Sequence, residues 1–266
     1  MNRNSRKVVH RSHWNNQLVE VIDSGDTRSL YFAGNVLQSS MSLHEPQRLA
    51  LSYTRYMMAS LLVDDEPERI LVIGIGAGSL LRFLHHHFPD ASIDGIDFSD
   101  TVIDLARKFF HLPGSPQMRI HCSDGFDFLA ARADEFDYDL ILVDAFDGLG
   151  MSAAIYCSDF FELCLHHLSV SGILSVNLWS GDRLAMEQVA DAINVHFESY
   201  LELPVPNRGN VICLAGRGEI LGSLMEQHHE DIAALQKRFS INYREILKVC
   251  RKHNLGLMQR LSHLFS

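Results

Sequence analysis

The sequence predicts an α/β fold, with a mostly parallel sheet covered by helices on both faces and a small antiparallel sheet before it. Three observations predict this fold. Ile70 to Ile73 are four consecutive aliphatic residues, the pattern of a strand buried on both faces of a sheet. The glycine-rich run Gly74 to Gly78 follows at once and leads into a helical pattern that begins at Ser79. From residue 69 onward, strand and helix patterns alternate, as they do in a parallel sheet with covered faces.

The first 45 residues are predicted to form the small antiparallel sheet. Two strand patterns, Leu18 to Ile22 and Arg28 to Phe32, flank Asp23-Ser24-Gly25-Asp26, whose composition is typical of a hairpin turn. Pro46 is expected to begin a helix, because proline favours the first turn, and apolar residues at helical spacing continue it to about Val63. We therefore place a domain boundary after residue 45.

The rest of the chain is predicted to carry the parallel sheet and a helical tail. The predicted order is helix 79–88, strand 92–97, helix 99–110, strand 118–122, helix 126–134, strand 138–144, helix 158–168, strand 172–178 and helix 182–196. Two last strands, near 200–203 and 210–215, are joined by a Pro- and Gly-containing turn that is typical of a closing antiparallel hairpin. Past Gly218 the composition turns helical. We therefore divide the chain into an N-terminal sheet (1–45), a central α/β domain (46–218) and a C-terminal helical extension (219–266).

Composition argues against several classes of partner. A formal net charge of −10 disfavours nucleic acid, because phosphates would be repelled. No apolar run approaches the roughly 18 residues of a membrane span, and the basic N-terminus has no apolar stretch of a signal peptide behind it. The five cysteines form no C-x-x-C pair, and His85 to His87 diverge by about 100° each on a helix, so no metal site is expected. We expect a cytoplasmic protein with no membrane or nucleic-acid partner.

The glycine-rich loop is the first candidate for ligand binding. Gly74, Gly76 and Gly78 allow a tight turn and let a ligand approach main-chain N–H groups at a helix N-terminus. Alone the motif is weak, since a plain strand-to-helix turn uses the same residues. The next predicted strand ends in Asp97, about 20 residues later, where nucleoside-binding α/β folds place the carboxylate that accepts ribose hydroxyls.

Three more acids follow predicted strands. Asp124, with Gly125, follows the third strand and could accept from an adenine amino group, a solvated turn or helix cap being the alternative. Asp144 and Asp147 follow the fourth strand and could both face the same pocket, because ligands of such sheets bind at the carboxyl ends of strands. Their like charges favour a bound cation, and either carboxylate could act as a base. The alternative is that Asp147 caps a turn and only Asp144 is functional.

Taken together, these segments resemble the spermidine synthase family, which are aminopropyltransferases on the class I methyltransferase fold. The segments that carry the resemblance are Ile70 to Gly78, Asp97, Asp124 to Phe128, Asp144 to Asp147 and, upstream, Leu30 to Ser40. The last of these is similar to the strand–turn–strand that precedes the family's catalytic domain. The resemblance spans roughly residues 18 to 216 and implies a seven-stranded, Rossmann-like mixed sheet with an N-terminal β appendage, and commonly a homodimer.

The resemblance also implies residue roles. Gln38 would contact the thioether end of the nucleoside, beside the loop of Gly74, Gly76, Ala77 and Gly78. Asp97 would hold the ribose, and Asp124 with Gly125 the adenine. Asp144 would be the base acting on the attacking amine, and Asp147 would help to hold the cationic acceptor. The co-substrate would be S-adenosylmethionine or its decarboxylated form, without a metal, and the acceptor a small-molecule amine or another small molecule.

Two departures from the family's pattern leave the reaction open. The family's loop carries an aspartate that holds the free ammonium of decarboxylated S-adenosylmethionine, and this chain has Ala77 there. An alanine with free N–H groups nearby would tolerate the carboxylate of ordinary S-adenosylmethionine. The segments that hold acceptor-binding tyrosines in the family, here His44 to Leu49 and Pro204 to Asn207, contain no tyrosine.

The sequence therefore favours a spermidine synthase-like transferase that moves an aminopropyl group to an amine. Methyl transfer to an unknown acceptor is the alternative, and a non-catalytic nucleoside-binding protein is the alternative from another class. Trp179 is expected to pack rather than to line the acceptor pocket, and Arg82 to be an ordinary surface or salt-bridge residue. Arg55 or Arg208 could meet a substrate carboxylate, and the sequence does not decide between them.

Overall fold

The computed structural model describes residues 6–14, 17–34, 36–132, 137–147, 150–151, 157–218, 220–225 and 227–255. Its strands are β1 (Lys7–Trp14), β2 (Gln17–Ser24), β3 (Thr27–Phe32), β4 (Val36–Ser42), β5 (Arg69–Ile73), β6 (Ser92–Asp97), β7 (Met118–Cys122), β8 (Tyr138–Val143), β9 (Phe146–Asp147), β10 (Gly150–Met151), β11 (Leu168–Trp179), β12 (Ser199–Pro204) and β13 (Asn210–Gly216). Its α-helices are α1 (Ser52–Met57), α2 (Ser79–His87), α3 (Asp100–Phe109), α4 (Gly125–Ala130), α5 (Ser158–His167), α6 (Arg183–His196), α7 (Ile220–Met225), α8 (His229–Phe239) and α9 (Tyr243–Cys250). A 3-10 helix spans Met58–Leu62 and a π-helix spans Arg251–Leu255.

Most of the strands form the two sheets that the sequence predicts, and β9 and β10 pair separately as a two-stranded antiparallel sheet. β1 to β4 make a four-stranded antiparallel sheet in chain order. The central sheet has seven strands in the order β12-β13-β11-β8-β5-β6-β7. Strands β11, β8, β5, β6 and β7 are parallel, β13 is antiparallel to β11, and β12 is antiparallel to β13. The α/β fold class is therefore confirmed. In such a sheet the strand order reverses beside β5, and ligands bind at the carboxyl ends of the strands at that point.

Apolar clusters cover both faces of the central sheet. Ile70 and Val72 point to one face, where the C-terminal helices also pack, with Phe239 of α8 against Phe83 of α2. Leu71 and Ile73 point to the other face and pack with residues of α5 and α6. This alternation explains why β5 is aliphatic at every position after Arg69, because neither face meets water.

The helix expected from Pro46 to Val63 is shorter than predicted. It begins at Ser52, and a 3-10 helix replaces its second half. The carbonyls that a helix from Pro46 would need are used by arginines: Arg82 donates to the Pro46 carbonyl, and Arg55 donates to those of Leu49 and Ala50. Side-chain donors from α1 and α2 therefore hold residues 46–51 as an irregular segment, which helix propensity could not show.

Arg82 is buried, so the prediction that it is an ordinary surface or salt-bridge residue was wrong. Only 4% of it is exposed, and its guanidinium donates to the carbonyls of Ala77, Phe110 and Pro46 and to the Ser79 hydroxyl. Burial lowers the pKa of Arg82 to about 10, which still leaves it protonated at neutral pH. One buried cation thus ties the glycine loop to the start of α2, the end of α3 and the segment before α1.

Replacing this cation should be costly. We expect Arg82→Met to lower the free energy of unfolding by about 3 kcal/mol, because three buried carbonyls lose a charged donor at once. Arg107→Met, at an exposed position of α3, is the matched control and should change it by about 0.5 kcal/mol or less. Urea unfolding of both variants measures the difference. A decrease below about 1 kcal/mol in the free energy of unfolding for Arg82→Met would contradict this structural role of Arg82.

Within the described part of the chain, no helix combines the length and the apolar character that crossing a membrane requires.

Candidate active site

A cavity of about 530 Å³ opens at the carboxyl ends of the central strands. Its walls come from the N-terminal sheet, α1, the glycine loop, and the ends of β6, β8, β11 and β13. Of the residues assigned to a site from the sequence, the cavity is lined by Gln38, Gly74, Gly76, Asp97, Asp124, Gly125 and Asp144. The fold therefore brings together residues that lie more than a hundred positions apart in the chain.

The three glycines of the loop differ in what surrounds them. Gly74, Gly76 and Gly78 all have positive φ angles, of 90°, 50° and 75°. A Cβ at Gly74 would lie 2.6 Å from the carbonyl carbon of Asp144, and one at Gly78 would lie 2.8 Å from the Leu112 side chain. A Cβ at Gly76 would meet nothing within 4 Å. Gly74 thus permits the backbone of residue 144 to approach, whereas Gly76 leaves open space at the cavity wall.

Asp97 braces the glycine loop from the end of β6. Its Oδ2 accepts from the backbone N–H groups of Ile75 and Gly76, at 3.0 and 3.3 Å, and its Oδ1 accepts from Ser99 N at 3.0 Å. Burial raises the pKa of Asp97, and these three N–H groups oppose the rise. Two N–H groups of the loop are therefore already engaged by a carboxylate that also lines the cavity.

Ala77 and Gly78 lie behind the cavity wall. Ala77 is fully buried and packs in an apolar cluster between the N-terminal sheet and α3, with neighbours that include Phe32 and Phe110. Neither Ala77 nor Gly78 is among the residues that line the cavity. Their assignment to nucleoside binding remains a prediction, and in this structure any such contact would be indirect, through the shape of the loop.

Asp124 and Gly125 form the turn into α4. Asp124 is exposed and caps the helix, its Oδ1 accepting from Phe126 N at 2.8 Å and Asp127 N at 3.4 Å. Asp124 also lines the cavity, and its Oδ2 takes no part in the helix cap. A Cβ at Gly125 would lie 2.6 Å from the Ile73 side chain, so glycine is needed for α4 to pack against the end of β5.

Asp144 lies at the centre of a hydrogen-bonded chain. Its Oδ2 accepts from the Tyr53 hydroxyl at 3.1 Å, and its Oδ1 accepts from Asn177 Nδ2 at 2.8 Å. Asn210 Nδ2 in turn donates to Asn177 Oδ1 at 3.0 Å, which orients the Asn177 amide with its nitrogen toward Asp144. The chain joins α1, β8, β11 and β13 across one end of the cavity.

Burial raises the pKa of Asp144 to about 6, while the bonds from Asn177 and Tyr53 oppose the rise. Burial and the neighbouring Asp144 raise the pKa of Tyr53 well above its ordinary value of 10, so its hydroxyl stays protonated and acts as a donor. A carboxylate with a pKa near 6 is mostly ionised at neutral pH and is far more basic than an ordinary aspartate. Such a group suits a general base.

The sequence analysis gave no role to three members of this hydrogen-bonded chain, Tyr53, Asn177 and Asn210. Tyr53 was read as one of the apolar residues of a helix, and no tyrosine was expected beside the acceptor. The available signal was its hydroxyl, because a buried tyrosine on a helix face needs a hydrogen-bond partner. Asp147 lies in β9, three residues from Asp144, and its side chain lies outside the described part of the structure, so its role stays a prediction.

Two further residues discussed in the sequence analysis, Trp179 and Arg208, line the cavity. Trp179 lines it with 45% of its surface exposed, and it also packs on the turn before β13, so the expectation of packing alone was incomplete. Arg208 lines the same rim. Arg55 is not among the lining residues and donates to backbone carbonyls, which leaves Arg208 as the arginine at the cavity.

The sequence and the fold of this chain are similar to those of known proteins. A family model described as the spermine/spermidine synthase domain matches residues 50–200. A polyamine aminopropyltransferase of Chromobacterium violaceum is 36% identical over 254 residues, covering 92% of this chain and 93% of that protein. The spermidine synthase of Thermotoga maritima has the same fold, with a TM-score of 0.70 at 16% identity over 92% of this chain and 84% of its own. Human methyltransferase-like protein 13, solved in complex with SAH, matches with a TM-score of 0.62 at 23% identity over 75% of this chain and 93% of its own.

Proposed function

The chain belongs to the spermine/spermidine synthase family, and we propose that it transfers an aminopropyl group from decarboxylated S-adenosylmethionine to a small amine, with Asp144 as the base. The observation that carries the assignment of the base is the Asp144 carboxylate, held at the end of the cavity by Tyr53 and Asn177 with a pKa near 6. The 36% identity over nearly the whole chain to a polyamine aminopropyltransferase supports the reaction.

The chemistry requires a base more than it requires an acid. An alkyl amine has a pKa near 10, so most of it is protonated at neutral pH and lacks a free lone pair. The Asp144 carboxylate would take a proton from the ammonium, which frees the nitrogen lone pair, and the nitrogen would then attack the carbon next to sulfur. The carbon–sulfur bond breaks as the carbon–nitrogen bond forms, and the leaving group is a neutral thioether that needs no proton. The remaining catalysis would come from positioning the two reactants in line.

The other side of the cavity would hold the nucleoside. Asp97 has an oxygen, Oδ1, with only one backbone donor, and the free oxygen of Asp124 is unused by the helix cap. We assign these acids to the ribose hydroxyls and the adenine amino group, and Gln38 of β4, which lines the same cavity, to the thioether end. We retain the homodimer and the three-part division of the chain as predictions.

Methyl transfer from ordinary S-adenosylmethionine is the second candidate, and Ala77 is the observation that favours it. The loop has no acid to hold the free ammonium of the decarboxylated form, and the buried Ala77 leaves no room to place one without rebuilding the cluster. The carboxylates of the cavity argue against this candidate. Asp97, Asp124 and Asp144 all line it and would repel an added carboxylate.

Calorimetric titration of the purified chain with the two nucleosides separates the candidates. We expect the decarboxylated form to bind roughly tenfold more tightly, because one unfavourable carboxylate contact is worth about 1.4 kcal/mol. Tighter binding of ordinary S-adenosylmethionine would move the assignment to methyl transfer. Binding of neither nucleoside would contradict both enzymatic functions.

A further inference from the structure

We infer that the acceptor amine carries an anionic group, a carboxylate by its chemistry, which Arg208 binds at the cavity. This inference rests on the proposed function and names the substrate class of the same site. It follows from the charge distribution of the cavity and from the way in which the turn before β13 is fixed.

Arg208 is the exception among the charged residues of the cavity. Among the described lining residues, the other charged side chains are the carboxylates of Asp97, Asp124 and Asp144. The hydrogen bonds and ion pairs found in the described part of the chain give the Arg208 guanidinium no carboxylate partner. A site for a simple diamine would gain nothing from a cation here, because the second ammonium of the diamine would be repelled.

The backbone that carries Arg208 is held firmly. Arg208 N donates to Val205 O at 3.1 Å within the turn, and Ser180 N donates to Gly209 O at 2.7 Å, which ties the turn to the end of β11. Asn207 takes a left-handed conformation with φ 57°, as such a tight turn requires. Arg208 is therefore presented from an anchored turn, two residues before Asn210, whose amide belongs to the chain that ends at Asp144.

Trp179 shapes the same rim. A Cβ at Gly209 would lie 2.7 Å from the Trp179 ring, so the indole packs directly on the backbone next to Arg208. Asp144, this apolar ring and Arg208 all line one cavity. The lining therefore supplies a base, an apolar surface and a cation, which matches a molecule with an amine, a short alkyl chain and a carboxylate.

The test compares two acceptors that differ by one carboxylate, 1,4-diaminobutane and ornithine, with decarboxylated S-adenosylmethionine as donor and product measured by mass spectrometry. We expect the wild-type chain to use ornithine with at least tenfold higher kcat/KM. Arg208→Gln should remove that preference mainly through KM, and Arg208→Lys should keep part of it. Arg107→Gln, which removes an exposed arginine away from the cavity, should leave the ratio unchanged.

The outcomes separate this inference from the proposed function. Product from 1,4-diaminobutane, with an acceptor ratio that Arg208→Gln leaves unchanged, would overturn the inference and leave aminopropyl transfer intact. Weaker binding of the nucleoside itself to Arg208→Gln would also overturn it, because the guanidinium would then belong to the nucleoside site. Absence of product from both acceptors would overturn the proposed function and this inference together.

Discussion

Asp144→Asn is expected to lower kcat by about 10² to 10⁴-fold, the range by which a positioned general base accelerates a reaction. Asparagine keeps the shape of the side chain and can still accept from Asn177, so the change removes the base without emptying the site. Binding of the nucleoside, measured by calorimetry, should therefore stay within a few-fold of the wild type. Equal turnover in the variant would refute Asp144 as the base, and unchanged binding with lost turnover would exclude a non-catalytic nucleoside-binding protein.

The pH profile provides an independent readout of the same residue. In the wild type, kcat/KM should rise with pH through about 6 as Asp144 loses its proton, and Asp144→Asn should lack this inflection. Tyr53→Phe is the matched variant, because it keeps the carboxylate but removes a donor that stabilises its charged form. The inflection should then move to higher pH. An inflection that stays in place would show that Asp144 is not the group that titrates.

Asp144→Asn should also make the protein more stable at neutral pH. Asp144 has a folded pKa of about 6 against an ordinary 3.8, so between these values the unfolded chain ionises first and the free energy of unfolding falls as pH rises. Above pH 6 the full cost is present, at most about 3 kcal/mol for a shift of about two pKa units. Asp144→Asn avoids this cost, so its Tm at pH 7.5 should exceed that of the wild type, with no such difference at pH 4.

The sequence was most informative where a residue's role depends on its neighbours in the chain. The aliphatic run of β5 shows its burial on both faces directly, and Asp97 and Asp144 could be identified because each lies at the carboxyl end of a strand. The hydrogen bonds of Asp144 were not accessible in this way. Tyr53 and Asn177 lie 91 and 33 residues from it, and their meeting depends on how α1 and β11 pack.

The irregular start of α1 and the position of Ala77 have the same explanation. The segment from Pro46 has helical composition, but its carbonyls are satisfied by Arg82 and Arg55, which no local pattern reveals. Ala77 lies within a glycine motif whose spacing suggests a ligand contact, yet its side chain packs in the apolar cluster between the N-terminal sheet and α3. Both cases depend on side-chain packing and hydrogen bonds, including the bond from Arg82 to Pro46 across 36 residues, that override a local preference.

Gly74→Ala should be the most damaging single substitution in the loop. The new methyl group would press against the backbone of Asp144, and alanine is strained at φ 90°. Strain and overpacking together should lower the free energy of unfolding by about 3 to 5 kcal/mol. Because the base would be displaced as well, kcat should fall roughly 100-fold even in the folded fraction.

Gly76→Ala is the matched control in the same loop. Its φ of 50° is also left-handed, but a Cβ there meets no atom within 4 Å and projects from the cavity wall. We expect a loss of only about 1 to 2 kcal/mol in the free energy of unfolding, from backbone strain alone. Nucleoside binding should weaken, because the methyl group would take space at the wall. Equal destabilisation by the two alanines in urea unfolding would show that the turn needs glycine for its φ angles alone, and that the approach of Asp144 to Gly74 does not determine where the base lies.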